Sequence, residues 1–245
     1  VLLALQALHK IDVAYRDLKP ENVLVDAAGH ICLSDFGLAR EAISSIDGGA
    51  RSICGTPSYM APEVLLGTGH GLAVDYWALG MLIFEMTTGS TPFFSRDMQA
   101  MYRAILHDTP EFPSNLRIPR ATRTLTLALL TRDPRRRAGA PTSGGPDRVR
   151  RHRFFRGLDW TRILSKGYEP AFVPTLDGQS DLRYFDGSYT SRQQEDDGSA
   201  VDNLNGVVEI PDEDCSSIGD ARIETALDHA HGHVAHTTHV ANVVR

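Results

Sequence analysis

The residues best suited to chemistry lie in RDLKPEN (16–22) and in a DFG that begins at Asp35. The first stretch holds Asp17, then Lys19 two positions later and Asn22 three positions further on. Transfer of a phosphoryl group to a hydroxyl needs a carboxylate that orients the hydroxyl and accepts its proton, a cation that offsets phosphate charge, and oxygen ligands for magnesium. RDLKPEN provides such a set, and Asp35 adds a second carboxylate. These residue types and their spacing therefore indicate phosphoryl transfer.

Two short strands are expected to position these side chains. NVLVD (22–26) and HICLSD (30–35) have strand composition and are joined by a turn at AAG. One hairpin therefore separates Asp17 from Asp35, so both carboxylates can face the same cleft. A DFG alone is weak support for phosphoryl transfer. Here an APE at 61–63 closes a 29-residue segment that starts at Asp35, and the motifs in this order are a much more specific indication of that chemistry.

The rest of the chain is predicted to be mainly helical. Helical patterns occur at 1–9, 74–86, 95–106 and 120–130. The second of these is apolar nearly all round, which indicates a buried helix. Residues 131–157 are rich in turn formers and arginine, EPAFVPTL has the proline spacing of an extended segment, and the polar composition beyond residue 190 is typical of disorder. The expected fold is mainly α, with short β-hairpins near Asp17 and Asp35.

The composition excludes several classes of protein. With 42% apolar residues, 23% charged residues and a net charge of −6, the 245-residue chain is unlike a general nucleic-acid binder. Residues 187–245 are strongly acidic, with 11 of the 31 Asp and Glu but only 3 of the 25 Lys and Arg. Three scattered cysteines form neither a disulfide framework nor a zinc pattern, which favours a reducing, cytoplasmic or nuclear compartment. The apolar stretch YWALGMLIF is too short to span a bilayer.

Two blocks of motifs resemble a known family. Residues 1–155 are similar to the C-terminal lobe of a eukaryotic protein kinase in YRDLKPENVLV, LSDFGLAR, CGTPSYMAPEVL, AVDYWALGMLIFEM and TPF. Residues 156–190 resemble the C-terminal extension of the AGC group through DW at 159–160, EPAFVP, and YFD at 184–186. The nearest branches are the ribosomal-protein kinases and protein kinase B. The predicted third unit, 191–245, is an acidic, His-rich tail.

The resemblance implies catalytic roles at three positions. Asp17 would be the catalytic base, and Lys19 would contact the γ-phosphate. Thr56, in GTPSY, would hydrogen-bond to both of them and favour serine or threonine substrates. The implied activity is ATP-dependent phosphorylation of proteins on serine or threonine.

The resemblance also implies how the cofactors ATP and Mg²⁺ would be bound. Asn22 and Asp35 would ligate magnesium, as their oxygen donors suit a hard cation. Leu24 would form the floor beneath the adenine, and Lys19 would reach the γ-phosphate. The same resemblance implies two structural ties: Glu63 of APE pairs with Arg137, and Asp75 holds the backbone of the catalytic loop.

One serine is a predicted phosphorylation site. AGC kinases carry their activating phosphoacceptor two residues before CGT, which here is Ser52, and Arg16 precedes the catalytic Asp. A phosphate on Ser52 would add about −1.5 to −2 charges within reach of Arg16 and order the loop, after the action of an upstream kinase. The alternative is an ordinary loop serine.

Two acids indicate the substrate preference. Glu21 and Glu85 match positions that receive a substrate arginine in basophilic AGC kinases. Paired charges of this kind give strong, geometric recognition. Protein substrates with Arg a few residues before Ser or Thr are therefore expected.

Several expected features do not occur in the sequence. No Gly-rich loop, strand Lys or helix Glu precedes the catalytic loop, and neither a TP-type turn site nor an FxxF motif follows YFDGSYT. The chain is thus expected to be the lower part of a longer kinase that lacks its N-lobe here and, alone, turns over poorly. The alternatives are a truncated, non-catalytic decoy or scaffold and a small-molecule phosphotransferase. GTPSYMAPE, typical of peptide binding, argues against the last.

Other motifs have ordinary interpretations. GTGHG at 67–71 is a connector rather than a phosphate loop, because no nucleotide-binding strand precedes it. The arginines at 135–137 and 148–156 form a solvated face, apart from Arg137. His229 and His233 have helical spacing that could hold a divalent ion, but a low-complexity tail is favoured.

Overall fold

A computed structural model describes residues 1–41, 50–178 and 181–185. The predicted disordered C-terminus, the His-rich tail with its candidate metal pair, and Asp186 of the YFD motif lie outside the described residues.

The described chain is mainly helical, as predicted. Its regular elements are α1 (Leu2–His9), β1 (Val23–Val25), β2 (Ile31–Leu33), α2 (Pro62–Leu65), α3 (Ala73–Thr88), α4 (Met98–His107), α5 (Arg120–Leu129), α6 (Gly145–Arg150) and α7 (Trp160–Leu164). Single 3₁₀ turns lie at Pro20–Asn22, Pro57–Tyr59, Pro141–Ser143 and Arg153–Phe155. The four predicted helices and both predicted strands are confirmed.

The central helix α3 is buried on nearly all sides, which confirms the interpretation of its apolar sequence. It packs on α5, whose buried residues Thr122, Leu125, Thr126 and Leu129 recur at helical spacing. A methyl group on Gly80 would lie 2.9 Å from the Leu129 Cβ, so glycine permits this close approach. Gly89 then ends α3 in a left-handed conformation with φ of 85°, which costs glycine little.

The two strands form one antiparallel hairpin. Val23 pairs with Leu33, Leu24 with Cys32 and Val25 with Ile31. Asp26 closes its turn, since one carboxylate oxygen accepts from the amides of Ala28 (3.0 Å) and His30 (2.8 Å). The sequence suggested several hairpins, but elsewhere in the described ranges pairing is limited to isolated bridges, Ala14 to Arg40 and Ala50 to His70.

One hydrophobic core contacts both the hairpin and the helices. Its fully buried large side chains include Leu5, Tyr15, Leu18, Trp77, Met81, Ile105, Leu125 and Leu129. Because Tyr15 and Leu18 flank Asp17, the loop that carries the polar side chains is anchored in this core. Residues 168–178 contain neither helix nor strand, consistent with the predicted extended segment. Within the described residues, no helix has the length and apolar character needed to cross a membrane.

Candidate active site

Asp17 is held at both carboxylate oxygens. Its Oδ1 accepts a hydrogen bond from the Thr56 hydroxyl at 3.0 Å, although 39 residues separate the two in sequence. Its Oδ2 lies 2.9 Å from both the Lys19 Nζ and the Asn22 Nδ2. With only 6% of its surface exposed, Asp17 is a buried acceptor fixed by these three neighbours. Such a carboxylate can orient a hydroxyl and take up its proton.

Asn22 and Asp35 each offer a side-chain oxygen atom, one from an amide and one from a carboxylate. Asn22 uses its Nδ2 to donate to the Asp17 carbonyl (2.8 Å) and carboxylate, which leaves Oδ1 available as a ligand. The end of β2 is tied to the same residue, because the Ser34 amide donates to the Asn22 carbonyl at 3.0 Å. Asp35 follows directly, is exposed, and accepts from the Gly37 amide through Oδ1 at 3.1 Å. An amide oxygen and a carboxylate are a donor set that fits Mg²⁺.

Asp75 anchors the backbone ahead of the catalytic loop. This fully buried carboxylate, at the start of α3, accepts from the amides of Tyr15 (2.9 Å) and Arg16 (2.8 Å). It also accepts from the His9 ring at 2.7 Å. Arg16 has φ of 67°, a conformation that costs a non-glycine residue energy and that persists only where surrounding bonds hold it. Asp75 provides two of those bonds.

Arg16 connects the catalytic loop to the segment between DFG and APE. Its Nε donates to the Leu38 carbonyl at 2.7 Å, and its Nη1 donates to the Ser52 hydroxyl at 3.0 Å. The same Nη1 lies 3.5 Å from the His70 Nε2. The structure therefore brings the predicted phosphoacceptor and its predicted arginine into direct contact.

Glu63 and Arg137 form a buried, bidentate ion pair. The two guanidinium nitrogens Nη1 and Nη2 lie 2.6 and 2.8 Å from the two Glu63 oxygens. Arg137 also donates to the carbonyls of Ala73, Thr131 and Arg132. All of these bonds together satisfy a guanidinium with no exposed surface.

The two predicted substrate-recognition acids lie near each other. Glu85 accepts a short hydrogen bond from the Tyr59 hydroxyl, and burial raises the pKa of its carboxyl. The Tyr59 bond lowers that pKa, whereas the nearby negative charge of Glu21 raises it further. Burial and the Glu85 carboxylate in turn raise the pKa of Tyr59. The two carboxylates therefore lie close enough for their charges to interact.

The predicted adenine floor is on the hairpin. Leu24 is 37% exposed and lies opposite Cys32 in the strand register. Val25, Ile31 and Phe36 are also exposed apolar residues of this region. Large apolar surface of this kind is typical of a binding face.

Sequence reasoning missed three residues of the site. His9, Tyr59 and His70 contact Asp75, Glu85 and Arg16, respectively. Their partners are 66, 26 and 54 residues away in sequence, so no local pattern could reveal them. Cys54, close to Ser52 in the same segment, is also buried.

Comparisons with known proteins agree with this arrangement. The protein kinase domain family matches residues 1–155. The chain is 46% identical to the serine/threonine protein kinase ypkA of Aspergillus fumigatus over 80% of this chain and 30% of that protein. It is 45% identical to the serine/threonine-protein kinase YPK1 of Saccharomyces cerevisiae, over 82% of this chain and 28% of that protein.

A third relative is the RAC family serine/threonine-protein kinase homolog of Dictyostelium discoideum, 43% identical over 78% of this chain and 41% of that protein. The chain thus spans less than half the length of the curated relatives that it matches. The extent of the domain match and the identity of these relatives establish that the chain belongs to the protein kinase family, in its AGC group of serine/threonine kinases.

Proposed function

We propose that this chain carries the catalytic lobe of an ATP- and Mg²⁺-dependent kinase that phosphorylates serine and threonine in proteins. The observation that carries the proposal is the fixed carboxylate of Asp17, held by Thr56, Lys19 and Asn22 at distances of 2.9–3.0 Å. A carboxylate with its lysine and amide neighbours so arranged has the parts that phosphoryl transfer requires.

The residues would divide the reaction among them as follows. Asp17 orients the substrate hydroxyl and takes its proton while the hydroxyl oxygen forms a bond to the γ-phosphorus and the bond to ADP breaks. Lys19 is close enough to Asp17 to stabilise negative charge on the transferred group. Thr56 fixes the Asp17 carboxylate and lies where a serine or threonine hydroxyl would approach. Positioning and charge stabilisation of this kind account for most of the catalysis of phosphoryl transfer.

Asn22 and Asp35 would hold Mg²⁺, which when bound neutralises charge on the phosphate oxygens. Support comes from their oxygen donors and from the bond between the Ser34 amide and the Asn22 carbonyl, which ties the residue before Asp35 to Asn22. Leu24 would lie beneath the adenine, since it is an exposed apolar residue on the adjoining hairpin.

The proposed units are the kinase lobe at 1–155, an AGC-type extension at 156–190 and an acidic tail at 191–245. The extension contacts the lobe at the hairpin, where Lys166 lies 3.2 Å from Asp26. We identify no Gly-rich loop and no strand lysine for the α- and β-phosphates in the sequence. Phosphoryl transfer would therefore need further residues, and this chain alone would turn over poorly. A non-catalytic decoy is the second candidate.

The proposed substrates carry Arg upstream of Ser or Thr. Support comes from the acidic pair Glu21 and Glu85, whose charges interact. A peptide array probed with the full-length gene product should show selection for Arg before the phosphoacceptor. An array with no basic preference would remove this part of the proposal.

Activation is proposed to depend on an upstream kinase acting at Ser52. Transfer of a phosphoryl group from ATP would form an O–P bond at the Ser52 hydroxyl, with loss of its proton and release of ADP. Support comes from the Arg16 Nη1, which lies 3.0 Å from the Ser52 hydroxyl and could bind a phosphate there. Replacing Ser52 by Ala should lower activity strongly, and unchanged activity would contradict the proposal. A cytoplasmic or nuclear location is proposed from the sparse cysteines, and a fluorescent fusion would test it.

The central experiment compares two Asp→Asn variants of the full-length gene product. Asp17→Asn removes the proton acceptor and should lower kcat by about 10²- to 10⁴-fold. Asp12→Asn is the matched control, because Asp12 is exposed, lies five residues away, and has φ of 57° that asparagine also tolerates. Transfer of labelled phosphate to a basic peptide is the measurement. Equal rates for both variants would rule out the role of Asp17.

A second measurement separates the kinase from the decoy. Purified full-length protein is titrated with MgATP, and its peptide phosphorylation is followed in parallel. Turnover supports the kinase, whereas partner binding without nucleotide binding or turnover supports the decoy.

A further inference from the structure

His70 is a buried histidine that the catalytic roles do not use. It lies between α2 and α3, with 2% of its surface exposed. Its amide donates to the Ala50 carbonyl at 2.9 Å, so its backbone is fixed against the segment that leads to Ser52. His70 lines a small pocket together with Arg16, Cys54 and Thr56. It therefore lies next to the part of the activation segment around Ser52.

One guanidinium nitrogen joins His70 to Ser52. The Arg16 Nη1 lies 3.0 Å from the Ser52 hydroxyl and 3.5 Å from the His70 Nε2. A guanidinium can only donate, so the His70 Nε2 must be the acceptor in this contact. This contact fits a neutral ring with its proton on Nδ1, while Ser52 carries a free hydroxyl.

The surroundings of His70 oppose its protonation. Burial is the largest cause, followed by the positive charge of Arg16, and together with Arg40 these lower the pKa of His70 to about 4. Glu63 and Asp75 raise the pKa, but less than burial and Arg16 lower it. Burial and the positive charges thus keep the ring neutral, and a further anion beside it would act in the opposite direction.

A phosphate on Ser52 would be that anion. It brings about −1.5 to −2 charges and three acceptor oxygens. Arg16 would turn its donors to these oxygens, and the lone pair of a neutral Nε2 beside them would be repelled. A protonated ring would instead donate a short, charge-assisted hydrogen bond.

We propose that His70 is a ligand of the phosphate on Ser52, and that phosphorylation drives uptake of a proton from solvent at the His70 Nε2. This inference rests on the proposed regulation through Ser52 and adds a second phosphate-binding side chain to Arg16. Because linked equilibria are reciprocal, a lower pH would also favour the phosphate-bound arrangement of the segment. Protonation of His70 in the folded chain would then occur near neutral pH only when Ser52 is phosphorylated.

The test is an NMR titration of the full 245-residue chain with either serine or genetically encoded phosphoserine at position 52. The ¹⁵N signals of the His70 ring are assigned by their loss in His70→Gln. With serine, His70 should titrate near pH 4, as its surroundings dictate. With phosphoserine, its midpoint should rise by about 2 pH units or more, since a paired anion shifts a pKa by roughly this amount. His152, the N-cap of the Arg153–Phe155 turn, serves as an internal control whose midpoint should stay constant between the two chains.

An unchanged His70 midpoint in the phosphoserine chain would overturn the inference. The titration reads the ring and not enzyme activity, so it is distinct from the test of the proposed function. If the midpoint rises but phosphorylation leaves kinase activity unchanged, His70 binds the phosphate and the regulatory role of Ser52 fails. If activity rises while the midpoint stays near pH 4, Ser52 regulates the kinase without His70.

Discussion

Glu63 and Arg137 form a buried ion pair that joins the APE segment to the loop after α5, across 74 residues of chain. The guanidinium also lies over the Trp77 ring, 5.2 Å from its centroid. Arg137 therefore holds the end of the activation segment, the central helix α3 and the following loop in one arrangement. Such a pair is costly to break, because the remaining charge would be buried without a partner.

Removing one partner of this pair should destabilise the fold strongly. We expect Arg137→Ala to lower the free energy of unfolding by about 3–5 kcal/mol, measured by urea denaturation. Arg137→Lys should recover only part of the loss, since an ammonium cannot bond to both Glu63 oxygens in the same way. The control is Arg136→Ala, an exposed neighbour that should change stability by less than about 0.5 kcal/mol. Equal losses at the two positions would contradict the structural role of the pair.

The Glu85 carboxylate should determine binding of an arginine-containing substrate. Glu85→Gln removes the charge, and we expect KM for an Arg peptide to rise about 10- to 100-fold. Glu169→Gln, at an exposed position of the extension, is the matched control. Burial and Glu21 raise the pKa of Glu85, so KM of the unmodified enzyme should rise on acidification earlier than for an ordinary carboxylate. A KM that is the same for Glu85→Gln as for the control would exclude this role.

Gly29 should be required for docking of the extension on the hairpin. It has φ of +85°, and a Cβ there would lie 2.4 Å from the Phe172 carbonyl oxygen and 2.7 Å from the Pro170 Cβ. Gly29→Ala should therefore release the extension and raise hydrogen exchange of residues 168–175 by about tenfold or more. Gly89→Ala is a close control, because Gly89 has the same φ with nothing within 4 Å of the added Cβ. The idea fails if both variants leave exchange of the extension unchanged.

His70 should make the unphosphorylated fold sensitive to acid. The unfolded chain binds this proton below about pH 6.5, whereas the folded chain binds it only below about pH 4. The contribution of His70 to the free energy of unfolding is therefore fully present above pH 6.5. It is lost as the pH drops from 6.5 to 4, and the loss amounts to about 3 kcal/mol. His70→Gln should remove this part of the pH dependence in urea titrations. If the free energy of unfolding changes with pH equally in His70→Gln and in the unmodified chain between pH 4 and 6.5, His70 is not the source of this acid sensitivity.

The catalytic loop could be predicted because its chemistry is local. Asp17, Lys19 and Asn22 fall within six residues, and the hairpin that follows places Asp35 nearby. The large helices were also predictable, since α3 and α5 show sustained apolar patterns. The short helix α7 was not, because five residues give too little periodicity. Its start is fixed instead by Asp159, which accepts from the amides of Thr161 and Arg162.

By itself, the sequence determined the family, the main elements and the residues suited to phosphoryl transfer, because each of these depends on spacing within a short stretch. Only the tertiary structure decided which distant groups meet: His9 with Asp75, Tyr59 with Glu85, and His70 with the Arg16 that contacts Ser52. These contacts arise because α3 carries Asp75 and Glu85 to partners in distant parts of the chain, and because Arg16 reaches both Ser52 and His70. Burial then raises the pKa of Glu85 and lowers that of His70, and both effects depend on neighbours that the linear order of residues does not specify.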